Sequence, residues 1–170
     1  TQVRDELYFY VKEVGELPDP SRNLELLEEG LHYAIPNIVE AGAVPMLLLD
    51  NMTMPAGRVQ CVRRKFLAGY DVNCDVDAAF RLRQQQPSLD IIMRVKSQFP
   101  QLITVDPNRI LCDEQHCYAD KWGMPLYQDR DHLYPAAVVR IAEQYLVEAG
   151  NPFMMGARSG SSMAESALTQ

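Results

Sequence analysis

The stretch IVEAGAVPMLLLD, residues 38–50, joins the end of a predicted helix to a predicted strand through Gly42. Five aliphatic side chains recur at the spacing of one buried helical face: Leu24, Leu27, Leu31, Ile35 and Ile38. The run from Met46 to Leu49 is apolar without alternation, which is typical of strands that are covered on both faces. A helix, a glycine and a buried strand make half of a parallel α/β unit.

The alternation of helix and strand continues along the chain. Apolar spacing predicts a helix over residues 77–99, interrupted near Pro87, and a last helix over residues 135–149. The segment LITVD, residues 102–106, is predicted to be a second short buried strand. Residues 51–75 lack a clear pattern and are expected to form a long connecting loop. Three side chains of the last helix are expected to face inward: Val138, Ile141 and Tyr145.

These elements indicate a single α/β domain over residues 1–150, with three α/β/α layers and a mainly parallel sheet. In such domains the functional residues gather in loops at the carboxyl ends of the strands. Residues 151–170 contain few hydrophobic side chains, and this composition predicts a disordered tail.

The composition narrows the class of protein. Apolar residues make up 47% of the 170 residues and charged residues 23%, as in globular domains. The formal net charge of −7 argues against a broad surface for nucleic acids or anionic membranes. No apolar run approaches the roughly 20 residues that a transmembrane helix needs.

The segment LCDEQHCYADKWGMPLYQDRDHLYP, residues 111–135, holds two of the four cysteines and two of the three histidines, together with five aspartate or glutamate side chains. A zinc site is one interpretation, and its ligands would be Cys112, His116, Cys117 and His132. Four residues between the cysteines exceed the usual spacing of a zinc knuckle, and the adjacent His116 and Cys117 cannot easily point at the same ion.

The same two cysteines permit a disulfide, because the four residues between Cys112 and Cys117 can turn back on themselves. Closing so short a loop removes only modest entropy from the unfolded chain, about 2 kcal/mol. The alternative is a pair of reduced, buried thiols in a cytosolic protein. Cys61 and Cys74 are candidates for a second bridge.

A third interpretation of the segment is an acid–base pair in YQDRDHLYP. A turn can bring the carboxylate of Asp129 onto a ring nitrogen of His132, which fixes the tautomer and leaves the other nitrogen free to take a proton. The alternative is a helix cap, in which Asp129 or Asp131 accepts backbone N–H bonds and His132 is merely exposed.

The segment LCDEQHCYADKWGMPLYQDRDHL, residues 111–133, resembles the closing part of SGNH (GDSL-like) domains at the C-terminus of bacterial O-antigen-type membrane acyltransferases. Those domains carry a cysteine pair, a g-x-PLY-x-D-x-x-HL run and then a final helix. The resemblance extends loosely over residues 22–148. It implies that Asp129 and His132 are the acid and base of a Ser-His-Asp triad, and it matches Cys112 and Cys117 to the cysteine pair of the family.

The resemblance implies an SGNH-hydrolase-like fold, and O-acyl transfer, with acetyl as the expected acyl group, to a cell-envelope polysaccharide. The expected partners are the polysaccharide acceptor, an acyl donor and a membrane acyltransferase domain of the parent protein, with no cofactor, metal or nucleic acid. The expected location is periplasmic or otherwise extracytoplasmic, attached to the inner membrane through that parent domain.

One part of the family pattern is missing. The nucleophilic serine of these domains lies in a Gly-Asp-Ser motif after the first strand, and no such motif occurs in this sequence. We therefore expect a domain that is incomplete at its N-terminus and inactive alone. Two alternatives remain from other classes: a non-catalytic carbohydrate-binding or scaffolding domain, and an α/β domain with a Cys/His metal site.

Overall fold

The computed structural model describes residues 22–154 of the chain. Most of the tail predicted to be disordered lies outside these residues. Helices and short strands alternate along the described part in this order: α1 (Asn23–Glu40), β1 (Met46–Leu48), α2 (Ala56–Ala68), β2 (Val76–Asp77), α3 (Ala78–Gln98), β3 (Ile103–Val105), α4 (Asn108–Leu111), β4 (His116–Cys117), β5 (Asp120–Lys121), β6 (Met124–Pro125) and α5 (Pro135–Ala149).

None of the helices in residues 22–154 is both long enough and apolar enough to span a bilayer.

The described structure divides into two compact units, and the division falls within α3 between Gln85 and Gln86. The first unit combines α1 with the later part of α3. Arg94 donates two hydrogen bonds to the carboxylate of Glu28, at 2.9 and 2.8 Å, and this contact joins the two helices. The buried side chains of this unit are Ile35, Ile91, Ile92, Val95 and Leu102.

The second unit contains the predicted parallel strand pair. β1 pairs with β3 in parallel, with Met46 opposite Ile103 and Leu48 opposite Val105. The expectation that β1 is buried on both faces is wrong, because Met46 and Leu48 are 37% and 69% exposed. These two side chains point to the same face of the strand, and nothing in the described residues 22–154 fully covers that face.

The core of the second unit lies away from the strand pair. It is built from α2, α4, α5, the short antiparallel strands and residues 52–54 of the segment that follows β1. Its fully buried side chains include Met52, Met54, Ile110, Leu111 and Leu126. β2 pairs with β4 and β5 pairs with β6, each as a two-stranded antiparallel ladder. The described part of the chain is thus of the α/β class, with small sheets between helices.

The connection over residues 51–75 is not a loop, because residues 56–68 form α2. Val59 and Val62 are its buried side chains, spaced three residues apart on one face. The basic run at Arg63, Arg64 and Lys65 interrupts the apolar pattern in the sequence and hides this face. The helix ends at Gly69, whose φ of 69° lies in the left-handed region that favours glycine.

Two other helices differ in detail from the prediction. α3 continues through Pro87 without interruption. α5 has the predicted bounds, with Pro135 in its first turn. Ile141 is buried as expected, but Val138 is 48% exposed, and the smaller Ala137 occupies the buried position instead.

Candidate active site

The five-residue loop Gln128–His132, here called the Asp–His loop, connects β6 to α5. Its ends are held together by backbone pairing. Tyr127 and Leu133 form an antiparallel bridge, and the backbone N–H of Gln128 donates to the carbonyl of His132 at 2.8 Å. Backbone contacts alone therefore close the base of the loop.

Three neighbouring groups donate hydrogen bonds to backbone carbonyls of the Asp–His loop. The backbone N–H of Met54 donates to the carbonyl of Arg130 at 2.7 Å. The side-chain amide of Asn51 donates to the carbonyl of Asp131 at 3.1 Å. These contacts place the loop beside the segment that follows β1, at the carboxyl end of the parallel pair. Arg63 of α2 donates to the carbonyl of Gln128 at 3.1 Å.

Asn108, at the start of α4, fastens the segment that follows β1. Its side chain is 1% exposed. The amide nitrogen donates to the carbonyl of Asp50 and to Asp106, each at 2.8 Å, and the amide oxygen accepts from the backbone N–H of Met52 at 3.1 Å. Because Asn51 lies between Asp50 and Met52, Asn108 also positions the donor that reaches the Asp–His loop.

Asp129 forms a turn with the residues that follow it. Its Oδ1 accepts the backbone N–H groups of Asp131 and His132, both at 2.8 Å. These two backbone bonds, together with the His132 ring, lower the pKa of the Asp129 carboxyl from 3.8 to about 2. The carboxylate is therefore ionised at any pH near neutrality.

The same carboxylate holds the ring of His132. Nδ1 of His132 lies 2.9 Å from Oδ2 and 3.0 Å from Oδ1 of Asp129. Such a bond favours the tautomer with the proton on Nδ1, and leaves the lone pair of Nε2 as a base. Among residues 22–154 no group hydrogen-bonds to this Nε2. The His132 side chain is 77% exposed, so the nitrogen is accessible from outside the unit.

The chain contains the Asp-x-x-His spacing a second time, at Asp113 and His116. The second site has the same backbone turn as Asp129 and His132 but not the same bond between the two side chains. Oδ1 of Asp113 accepts the backbone N–H of Gln115 and of His116, at 2.8 and 2.7 Å, so the backbone turn is the same. Its other oxygen accepts the hydroxyl of Tyr118 rather than a histidine nitrogen. The hydroxyl is the first cause of the lowered pKa of Asp113, about 2. Spacing alone therefore makes the turn, but only Asp129 uses it to orient a histidine.

The structure joins the cysteines into two disulfides, Cys61–Cys74 and Cys112–Cys117, whose Cα atoms are 5.6 and 3.9 Å apart. Both Sγ atoms that the zinc interpretation needed are thus engaged in a covalent bond. In the part of the chain that the structure describes, no three His, Cys, Asp or Glu side chains are grouped as metal ligands would be.

The helix-cap interpretation of Asp129 and Asp131 is also wrong for this structure. The N-cap of α5 is Tyr134, and no side chain accepts a hydrogen bond there. Asp129 accepts N–H groups within its own loop, and not from the first turn of the helix.

Sequence reasoning found the pair but missed the residues that hold its loop: Asn51, Arg63 and Asn108. A signal was present for two of them. Asn51 and Asn108 lie within three residues of the ends of β1 and β3, where functional side chains gather in parallel sheets. Arg63 gave no signal, because its segment was not recognised as a helix.

A family model described as "SGNH domain (fused to AT3 domains)" matches residues 12–146. The match covers most of the chain, including the Asp–His loop, both disulfides and nearly all of α5. The chain belongs to this family of SGNH domains fused to AT3 domains, and is thereby associated with acyltransferases. Comparison with curated proteins and with solved structures found no match.

Proposed function

We propose that this domain takes part in O-acyl transfer, in which Asp129 and His132 are the acid and base of a Ser-His-Asp triad. The acyl group would be acetyl and the acceptor a hydroxyl of a cell-envelope polysaccharide. The observation that carries the proposal is the bond from Nδ1 of His132 to Asp129, at 2.9 Å, with Nε2 accessible. Membership of a family fused to AT3 domains supplies the acyltransferase context.

The reaction would proceed through a covalent ester. The serine hydroxyl attacks the carbonyl carbon of the acyl donor while Nε2 of His132 takes its proton, and the imidazolium then gives that proton to the departing group. A sugar hydroxyl next attacks the serine ester. His132 takes the proton of this hydroxyl and returns it to the serine oxygen as the ester bond breaks. The Asp129 carboxylate stabilises the imidazolium in both halves.

The proposal assigns the serine to sequence outside the 170 residues, because they contain no Gly-Asp-Ser motif. The 170-residue chain alone would then be inactive in acyl transfer. We also propose that the parallel pair β1–β3 is part of the larger three-layer α/β/α sheet expected of SGNH domains. The exposed face of Met46 and Leu48 supports this, since such a strand ordinarily has a covering layer.

We further propose an extracytoplasmic location, with attachment to the inner membrane through an AT3 domain of the parent protein. Two disulfides among four cysteines support an oxidising compartment.

A non-catalytic, carbohydrate-binding role is the second candidate, and one observation favours it: both side chains of the pair are more than half exposed, at 77% and 51%. Catalytic pairs are usually shielded from bulk water.

The discriminating experiment is acyl transfer by the parent protein that includes the AT3 domain. His132→Ala should reduce the rate at least about 100-fold, because the serine then has no base. Polysaccharide binding by a parent protein with no transfer activity would favour the second candidate.

A further inference from the structure

A cleft outside the Asp–His loop lies between the β5–β6 hairpin and the later part of α5. It is open to solvent along its length, and its volume is about 490 Å³. It is lined by Trp122, Arg140, Glu143, Gln144, Val147 and Glu148. The proposed reaction does not use these residues.

Trp122 stands at the tip of the hairpin in an unusual backbone conformation. Trp122 and Gly123 connect β5 to β6, and their φ angles are 54° and 73°. Two-residue turns with both angles positive favour Asn-Gly, because a bulky L side chain is strained there. Within residues 22–154, Trp122 is the one non-glycine residue with a positive φ. The hairpin thus holds a large aromatic ring where a small polar residue would be more stable, which points to a role for the ring.

The indole is held in place and still accessible. The ammonium group of Lys121 lies 5.3 Å from the ring centroid of Trp122 and 4.6 Å from that of Tyr118. Lys121 is itself anchored by a 2.9 Å bond to the carbonyl of Ile110. Trp122 remains 39% exposed, so a ligand would meet a pre-positioned aromatic surface.

The other lining groups complement a sugar. Arg140 donates to Glu143 at 3.4 Å and Gln144 donates to Glu148, and the remaining oxygens and N–H groups of these two pairs can bind hydroxyls beside the aliphatic side chain of Val147. Sugars present C–H groups on one face and hydroxyls at the edge, so a ring with polar side chains around it matches both parts. The carboxylates of Glu143 and Glu148 balance the guanidinium of Arg140 and the Lys121 ammonium beside the indole, and this balance favours a neutral saccharide over a strongly charged one.

The position of the cleft fits an extended ligand. The Asp–His loop ends just before α5, and Gln144 lies nine residues into that helix, about 14 Å along its axis from Pro135. A polymer could therefore occupy the cleft while a more distant unit reaches His132. We infer that the Trp122 cleft binds a segment of the polysaccharide acceptor, an inference that rests on the proposed function for the identity of the polymer.

The test is binding of the neutral polysaccharide released from the envelope of the native host to the 170-residue chain. Trp122 is the sole tryptophan of the sequence, so its emission reports directly on the cleft. Saturable change in that emission is expected with the polysaccharide. Titration calorimetry should show affinity weakened about tenfold or more in Trp122→Asn, a change that suits the positive φ and should keep the fold.

Tyr33→Asn is the matched control, since Tyr33 is 77% exposed and does not line the cleft. Its affinity should equal that of the unaltered chain. No binding, or equal affinity in Trp122→Asn, overturns the inference whether or not the parent protein transfers acyl groups. Binding that depends on Trp122, with no transfer by the parent protein, supports the cleft and contradicts the proposed reaction.

Discussion

Asn108→Ala should be among the most destabilising single changes outside the aliphatic core. The side chain is 1% exposed, and its oxygen accepts the N–H of Met52, a residue with no exposed surface. Leaving that N–H unpaired in a dry site costs about 1–3 kcal/mol. The bonds to Asp50 and Asp106 lie nearer to solvent, and their loss adds about 1 kcal/mol. The expected loss in the free energy of unfolding is about 2–4 kcal/mol.

For a chain of this length, that loss lowers the unfolding midpoint by about 5–15 °C. Thermal and urea unfolding measure it, with Asn37→Ala on the exposed face of α1 as a control expected to change little. Amide exchange at Met54 should also accelerate, because its bond to Arg130 depends on the same segment. A loss below about 1 kcal/mol, with exchange at Met54 unchanged, would refute the role assigned to Asn108.

Two further predictions concern the folded chain. The Asp129 carboxyl should titrate near pH 2 when it is followed by carbon-detected NMR. Because its pKa is lowered from 3.8, its contribution to stability is present above about pH 4 and is lost as the pH falls through 2. A titration midpoint near pH 4 would contradict the turn geometry. Replacing Cys61 and Cys74 by serine should lower the free energy of unfolding by about 3 kcal/mol, and replacing Cys112 and Cys117 should lower it by about 2 kcal/mol, because the second loop is shorter. Urea unfolding measures both losses. A larger loss for the second pair than for the first would refute the entropic argument.

The elements that sequence could predict are those whose pattern is uninterrupted. α5 was placed with its bounds because a proline, a regular apolar spacing and a glycine mark it. α2 was missed because three basic residues obscure its apolar face. The exposure of Met46 and Leu48 was also unpredictable, since an apolar run shows what a strand can bury and not what covers it.

The candidate site was likewise predictable only in part. The Asp-x-x-His spacing gives the backbone turn, which forms at Asp113 as well as at Asp129. Whether the carboxylate then binds a histidine ring depends on the neighbouring side chains. At Asp113 the hydroxyl of Tyr118 donates to the oxygen that would otherwise be available. The contacts of Asn51, Arg63 and Met54 with the Asp–His loop come from distant parts of the chain, and a local pattern does not contain them.

The most direct test of the acid–base pair is the acyl-transfer rate of the parent protein carrying Asp129→Asn. The amide oxygen can still accept the N–H groups of Asp131 and His132, so the loop should persist. The amide nitrogen then replaces Oδ2, the oxygen nearest to Nδ1 of His132, and this favours the tautomer in which Nδ1 is the acceptor. The proton moves to Nε2, and the histidine can no longer take a proton from the serine.

We predict a rate at least about 100-fold lower in Asp129→Asn, with the fold retained, and a normal rate in the neighbouring control Asp131→Asn. Equal rates in Asp129→Asn and the unaltered protein would contradict the assignment of Asp129 and His132 as the acid and base of the reaction.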